Sequence, residues 1–539
     1  MKSEPASRYQ LSLQEAATCR LSDVESLQVG TRSVTVALPA DYQKNKRKRY
    51  PLLLVLDGGD QLGSVIEMSR LMAQTREVRP TIVVGITVSA SELIDSGAMA
   101  QRVDAVIAAC DARYRSERGA AIVFGHAAAG RCLLQWLAAA AVQAQRFIVA
   151  GPDSLPAMAK GAGRASAGAR RLVLCTSPQG VDGKPLNVVA AEIADACAGL
   201  QITRFELDDL DVLVGSLACG LRQLIATGLN YGDEVLAMRR PLMMYAMRAL
   251  SPLLGRLTAK PPQAVVDDTR YRLHSAKLSR DFEIFVAMPR SAVLDPSRRY
   301  PALVVLDANI EFSIVAETAS RMAAQAQTEE LIVIGIGTPR AEGMVAFGFR
   351  RFEELSPPID GYDYGDDLGR IFRSLFSMRG QDARQRLGRA PDLLAFIVDE
   401  LLPHLAALPI DTTRMGLLGH SAGGAFVAYA LSQPTSPFKH YVAISPGIGI
   451  SGWWLMKQPP SAAVAGRSAV LSLGSEELLN GFNNVAGIQD TEAYSQRLRA
   501  PGNMDVAFRC FDGETHSTIF PRALVYALAT LYPEAGAGR

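Results

Sequence analysis

The chain has 539 residues, 48% of them hydrophobic and 20% charged, which is enough apolar material for two domain cores of ordinary size. A formal net charge of +2 excludes the basic footprint of a nucleic-acid-binding protein, and no uninterrupted apolar run reaches the roughly 18 to 20 residues of a membrane span. Seven cysteines without a CxxC pair point to buried free thiols, not to a disulfide framework or a metal site.

The N-terminus, Met1-Lys2-Ser3-Glu4-Pro5, is polar and lacks the apolar core of a signal peptide, so a cytoplasmic protein is expected. The basic run Lys44 to Arg49 precedes a strand and reads as a solvated loop. Arg49-Tyr50-Pro51-Leu52-Leu53-Leu54-Val55-Leu56-Asp57 and Ile82-Val83-Val84-Gly85-Ile86 then return as Arg299-Tyr300-Pro301-Ala302-Leu303-Val304-Val305-Leu306-Asp307 and Ile332-Val333-Ile334-Gly335-Ile336, both offset by 250 positions. Two strand-like blocks at one fixed spacing imply duplication of a whole domain. Short β-branched runs bounded by turn residues suit the buried strands of a parallel sheet alternating with helices, so the fold class is α/β.

The first copy continues to Gly125-His126-Ala127-Ala128-Ala129-Gly130, a glycine-flanked strand-to-helix turn with alanine at its apex. Ala129 is expected to crowd that turn, and no histidine occurs between His126 and His274. Pro241 to Leu257 reads as a Met-rich helix joining the copies, and Lys260-Pro261-Pro262-Gln263 as a breaker. The predicted domains are therefore 1–262, degenerate, and 263–539, active.

In the second copy the stretch from Arg351 to Asp367 accounts for much of the roughly 44 additional residues between strand and turn, and it reads as a loop walling a pocket at the carboxyl edge of the sheet. The apolar run Met415-Gly416-Leu417-Leu418 leads into Gly419-His420-Ser421-Ala422-Gly423 and the helix-prone Ala425 to Ala430. This is a nucleophile elbow, in which flanking glycines permit a sharp turn that holds the Ser421 hydroxyl proud of the sheet. The oxyanion hole is expected from the amide of Ala422 and one near Asn309, after the Leu306-Asp307 strand end. Gly447-Ile448-Gly449-Ile450-Ser451-Gly452 matches a nucleotide-binding pattern but runs into Trp453-Trp454, so it reads as a loop beside the pocket with the tryptophans as apolar walls.

A serine needs a base and an orienting acid. His516, between the strand-like Val506 to Phe511 and the last helix, stands where the order serine, acid, histidine puts the base. The acid follows the strand Ala469 to Leu473: Glu477 first, Glu476 next, with Asp490 and Asp512 as fallbacks. His420 is assigned a local packing or hydrogen-bonding role.

These features resemble the putative-esterase family of α/β-hydrolases, which includes siderophore (enterochelin and salmochelin) esterases, esterase D and the mycolyltransferases. The residues that carry the resemblance are Tyr300-Pro301 to Asp307, Arg351-Phe352-Glu353-Glu354-Leu355-Ser356-Pro357, Glu400-Leu401-Leu402-Pro403, Gly419 to Gly424, Ser445-Pro446 with Trp453-Trp454, Gly474 to Glu477, and His516. Glu354 stands where that family usually has aspartate, and Leu306-Asp307-Ala308-Asn309 departs from its common Leu-Asp-Gly-Asn. The resemblance spans about 270 to 533 and implies two tandem α/β-hydrolase domains, the second a serine esterase without cofactor or metal, with Arg351, Trp453 and Trp454 lining the pocket. Its substrate would be a small-molecule ester or thioester, and the two halves would pack together. The alternatives are an acyltransferase or thioesterase of natural-product metabolism, with an acyl-carrier protein as partner, and a non-catalytic binding protein.

Overall fold

The structure, a computed structural model, describes residues 24–226 and 269–534 apart from 44, 57–60, 75–76, 89–95, 140, 157–169, 198, 208–211, 290, 296, 366, 459–464, 480–486 and 501–503. The expected boundary near 262 and the Met-rich helix lie outside the described residues.

The apolar runs become strands covered on both faces. In the first half these are β1 (Val24–Val29), β2 (Arg32–Ala37), β3 (Leu52–Leu56), β4 (Ile82–Ile86), β5 (Ile122–His126), β6 (Arg146–Ala150), β7 (Arg171–Thr176) and β8 (Gln201–Glu206), ordered β1-β2-β4-β3-β5-β6-β7-β8. The second half repeats the order with β9 (Thr269–Ser275), β10 (Arg280–Ala287), β11 (Tyr300–Val305), β12 (Ile332–Gly337), β13 (Ile410–His420), β14 (His440–Ile444), β15 (Ser468–Gly474) and β16 (Asp505–Phe511). Each sheet has an antiparallel hairpin at one edge and is parallel from its third strand onward. Every residue of β3, β4, β11 and β12 is buried, as a parallel sheet with helices on both faces requires.

The helices that matter for function are α1 (Leu62–Gln74), α2 (Ala127–Ala139) and α3 (Val212–Ile225) in the first half, and α4 (Ala308–Ala324), α5 (Met344–Leu355), α6 (Asp367–Ser377), α7 (Ala422–Ser432) and α8 (Ile519–Leu531) in the second. Helices α1 and α3 share one face of the first sheet, and α4 and α8 the matching face of the second. These two helical faces pack on each other, α1 against α4 and α3 against α8, so the halves meet through a four-helix layer between the sheets.

The contact is reciprocal. Glu317 of α4 accepts the backbone N–H groups of Gly63 and Ser64 at 2.9 and 2.5 Å, in the first turn of α1, while Glu67 of α1 accepts that of Ile314 at 3.0 Å. Glu67 and Glu317, like Ser64 and Ile314, are 250 positions apart, so the duplicated chain folds as an internal dimer with a pseudo-twofold axis. Gly85 and Gly335 share that spacing, and a side chain on either would collide with the helix above it, at Leu62 and at Ala308 and Phe312 respectively.

Of the expected loop, Ser356 to Gly365 has no helix, while its two ends belong to helices that extend beyond it: Arg351 to Leu355 close α5 and Asp367 opens α6. The helices form because Phe349, Phe352, Phe372 and Phe376 recur at helical spacing and pack into a satellite cluster around Tyr364. Helix α5 packs on α7, directly over the elbow helix. Among the described residues no helix is long and apolar enough to cross a membrane.

Candidate active site

Strand β13 delivers His420 to the carboxyl edge of the sheet, where the chain turns at Ser421 (φ 61°, ψ −117°) and enters α7. A left-handed φ at a non-glycine residue costs on the order of 1–3 kcal/mol, so the surroundings must hold it. The Ser421 N–H donates to the Ile444 carbonyl at 2.9 Å, and the Ser421 carbonyl accepts from Ala425 and Gly447. Gly419 has no room for a side chain, because a Cβ there would run into the backbone of Gly423; a Cβ on Gly424 would lie 2.9 Å from the Ile444 carbonyl and Pro446.

Two loops at the same edge carry the other expected residues. After β15 a 3-10 turn, Ser475–Leu479, buries Glu477, whose Oε1 accepts the Ser445 hydroxyl at 2.6 Å and the Gly474 N–H at 2.7 Å. Its Oε2 lies 2.8 Å from Nδ1 of His516, in the loop after β16. Of the four candidate acids, Glu477 is the one placed against His516. Glu476 points the other way and pairs with Arg222 of the first half at 2.9 Å, Asp512 accepts from Ser475, and Asp490 lies in the first turn of the helix Ile488–Arg499.

His420 brings the elbow and the histidine loop together. Its ring centroid is 4.7 Å from that of His516, and Nε2 lies 2.8 Å from the His516 carbonyl, to which it must donate. Burial, reinforced by His516 and Arg351, pushes His420 well below the usual histidine range, so the ring is neutral with its proton on Nε2. Nδ1 then faces Glu311 Oε1 at 3.4 Å, and burial together with the nearby Asp307 carboxylate pushes the Glu311 carboxyl well above its usual range. Ser445 and Glu311 escaped sequence reading as site residues. The Ser445-Pro446 pair was visible, but nothing in its pattern reveals a hydroxyl aimed at Glu477.

For the oxyanion, Ala422 is the first residue of α7 and Asn309 the second of α4, positions whose amides have no acceptor within their own helix. The Asn309 side chain is committed elsewhere: it donates to the Thr338 carbonyl at 2.9 Å and accepts the Thr338 N–H at 2.7 Å, tying α4 to the end of β12. Only its backbone amide is left for a ligand. Arg351 pairs with the buried Asp307 at 2.7 Å and borders a small cavity of about 20 Å³ with Phe282, Phe347 and Leu355. Its neighbours Arg350, Glu353 and Glu354 form a buried ion cluster with Arg280 and Arg386, so most of this motif braces α5.

Trp454 packs against Tyr429 of α7 with ring centroids 5.6 Å apart and planes tilted by 52°, and Trp453 sits half-buried in left-handed backbone. The Gly447 to Gly452 segment differs from its expected form. It does open a short helix, Ile450–Lys457, but Ser451, Gly452 and Trp453 have φ near +60°, which breaks the first turn and presents no regular helix N-terminus. Tyr362 covers Gly452, and Ser451 donates to the Pro357 carbonyl, so the additional segment is fastened here.

In the first half Ala127 keeps the elbow backbone, with φ 48°, although it has no hydroxyl to present. The space at the equivalent position of the second half argues against the expected crowding by Ala129. Ala129 is buried in α2, and a Cβ at the equivalent Gly423 meets nothing closer than Asp307 Oδ2 at 3.4 Å, an ordinary contact. His126 is driven down to about 4, chiefly by burial and then by Arg321 of the second half.

No family model matches the chain. It is similar to the siderophore enterobactin esterase of Emericella nidulans, 32% identical over 159 residues, which cover 28% of this chain and 46% of that protein. It is also similar to the ferri-bacillibactin esterase BesA of Bacillus subtilis, 25% identical over 284 residues, 49% of this chain and 90% of that protein. Among solved structures, the BES protein from Bacillus cereus has 20% identity and a TM-score of 0.41, covering 49% of this chain and 95% of that one. The siderophore hydrolase EstA from Aspergillus nidulans has 22% identity and a TM-score of 0.40, covering 49% and 93%. Over at most about half of its length, the chain is similar in sequence to these two siderophore esterases, and it spans about half the length of the first of them.

Proposed function

We propose that the second half is a serine hydrolase of carboxylic esters, with Ser421 as nucleophile, His516 as base and then acid, and Glu477 as the carboxylate that orients the imidazole. The observation that carries this reading is the filling of the Glu477 carboxylate: two donors, Ser445 and Gly474, occupy one oxygen and leave the other for His516 Nδ1 at 2.8 Å. A carboxylate held this way fixes Nδ1–H and exposes the lone pair on Nε2. His516 Nε2 takes the Ser421 proton as Oγ attacks the ester carbonyl. The oxyanion then draws on the amides of Ala422 and Asn309 at the two helix N-termini. The imidazolium returns the proton to the leaving alcohol, and a water deprotonated by the same imidazole releases the acid from the acyl-enzyme.

The relatives bear the names of siderophore esterases, which makes a small-molecule ester the substrate class and enterobactin one compound to assay. The first half, without hydroxyl at 127, serves as scaffold. A fluorophosphonate should add one label, at Ser421, and p-nitrophenyl esters should be turned over. Ser421→Ala should abolish the label and lower kcat on the order of a millionfold. Near-wild-type hydrolysis by that variant would defeat the assignment.

A further inference from the structure

The silent half grips both loops that carry the proposed acid and base. Arg222 of α3 reaches across the interface with its two terminal nitrogens. One donates to Glu476 Oε2 at 2.9 Å, on the turn that bears Glu477, and the other to the Gly513 carbonyl at 3.1 Å, on the loop that bears His516. Glu77, just beyond the end of α1 and only 3% exposed, accepts the Thr515 hydroxyl at 2.8 Å, immediately before His516 in the chain. The Glu77 N–H in turn donates to the Met72 carbonyl, which anchors the residue to α1.

The two loops also bond each other, Gly513 N–H to Ser475 Oγ at 2.8 Å and Glu476 N–H to the Glu514 carbonyl at 3.0 Å. Yet they border a cavity of about 540 Å³ between the halves, walled by Glu77, Phe205, Arg222, Glu476, Gly513 and Arg522. Loops beside such a space have solvent on one side and need support from across it. Arg222 and Glu77 supply that support.

We infer that Arg222 and Glu77 are positioning residues for the esterase site: a clamp from the non-catalytic half that sets the distance between the Glu477 turn and the His516 loop. This rests on the triad proposed above. Neither residue touches substrate, and both act through backbone placement. A displacement of about 1 Å at a catalytic group costs on the order of a hundredfold in rate, whereas a half-exposed ion pair such as Arg222 with Glu476 contributes little to stability. The clamp therefore predicts a kinetic effect larger than its effect on folding.

The test uses the full-length chain with Arg222→Met, Glu77→Ala and Glu77→Gln, the last of which keeps a carbonyl to accept the Thr515 hydroxyl. Turnover is expressed per fluorophosphonate-reactive site, so only folded molecules are counted. Arg222→Met and Glu77→Ala should lower kcat by about 10- to 100-fold with KM within about twofold, and Glu77→Gln should restore most of the rate. Deuterium exchange in peptides spanning 474–479 and 512–518 should rise in the first two variants and return towards wild type in the third. Wild-type kcat and wild-type exchange in both Arg222→Met and Glu77→Ala would overturn the clamp. If Glu77→Ala yields no reactive sites, Arg222→Met decides, since its side chain is 29% exposed and can be removed without opening the core. Failure of the wild-type chain to hydrolyse esters would strike the proposed function instead, and the exchange measurement would still settle whether the first half holds these loops.

Discussion

Replacing Glu477 by glutamine probes the proposed triad at one hydrogen bond. The glutamine amide is isosteric, but it has one acceptor oxygen and one NH2 where the carboxylate has two acceptors. On the inner side, the Gly474 N–H can only donate, at 2.7 Å. Turning the NH2 inward would set donor against donor and leave a buried N–H unsatisfied, at about 1–3 kcal/mol. The oxygen therefore stays inward, where it also keeps the Ser445 hydroxyl at 2.6 Å, and the NH2 faces His516 Nδ1. Nδ1 must then accept, which places the proton on Nε2 and removes the base. A wrong tautomer in otherwise intact geometry lowers kcat about 10⁴-fold, or roughly 5.5 kcal/mol in the barrier. The assay is p-nitrophenyl ester turnover per mole of monomeric, folded protein, with thermal midpoints measured in parallel. Activity within tenfold of wild type, or a larger loss in Glu476→Gln, would refute the assignment of Glu477.

Ala127→Ser restores a hydroxyl on a backbone that already has the elbow conformation, yet no histidine follows it in the first half; intact mass should show no second fluorophosphonate label, and a label at 127 would mean that a base is supplied from elsewhere. Gly419→Ala should lose nearly all turnover and lower the thermal midpoint, because the new Cβ would overlap the Gly423 backbone, which cannot yield without moving α7. Burial outweighs the helix amides at Glu317 and pushes its carboxyl up to about 8. A folded value above the unfolded one contributes stability that is fully present below about 4.5 and is lost as pH rises through about 8. Between pH 6 and 9 the thermal midpoint of wild type should therefore fall more steeply than that of Glu317→Gln, and equal slopes would show that this carboxyl does not titrate there.

The sequence by itself determined the elements whose signal is local. Buried parallel strands announce themselves as short β-branched runs, the 250-residue offset exposes the duplication, and an elbow needs glycine where the Gly423 backbone leaves no room for a side chain at 419. His516 stood out as a candidate because few histidines compete for a place after the last strand. Tertiary structure decided everything that depends on direction or on distant partners. Glu476 and Glu477 are adjacent in the chain, and only the turn at Ser475–Leu479 sends one to His516 and the other to Arg222. The helices flanking the loop, α5 and α6, escaped sequence reading, because their aromatic spacing serves a small satellite cluster and not the main core. Glu67 and Glu317 find their backbone partners only once the folded chain sets α1 against α4, and Glu77 lies 438 positions from the hydroxyl it accepts. A hydrogen bond between side chains carries no periodicity along the chain, so the grip of one half on the other's loops exists only once both sheets are formed and packed.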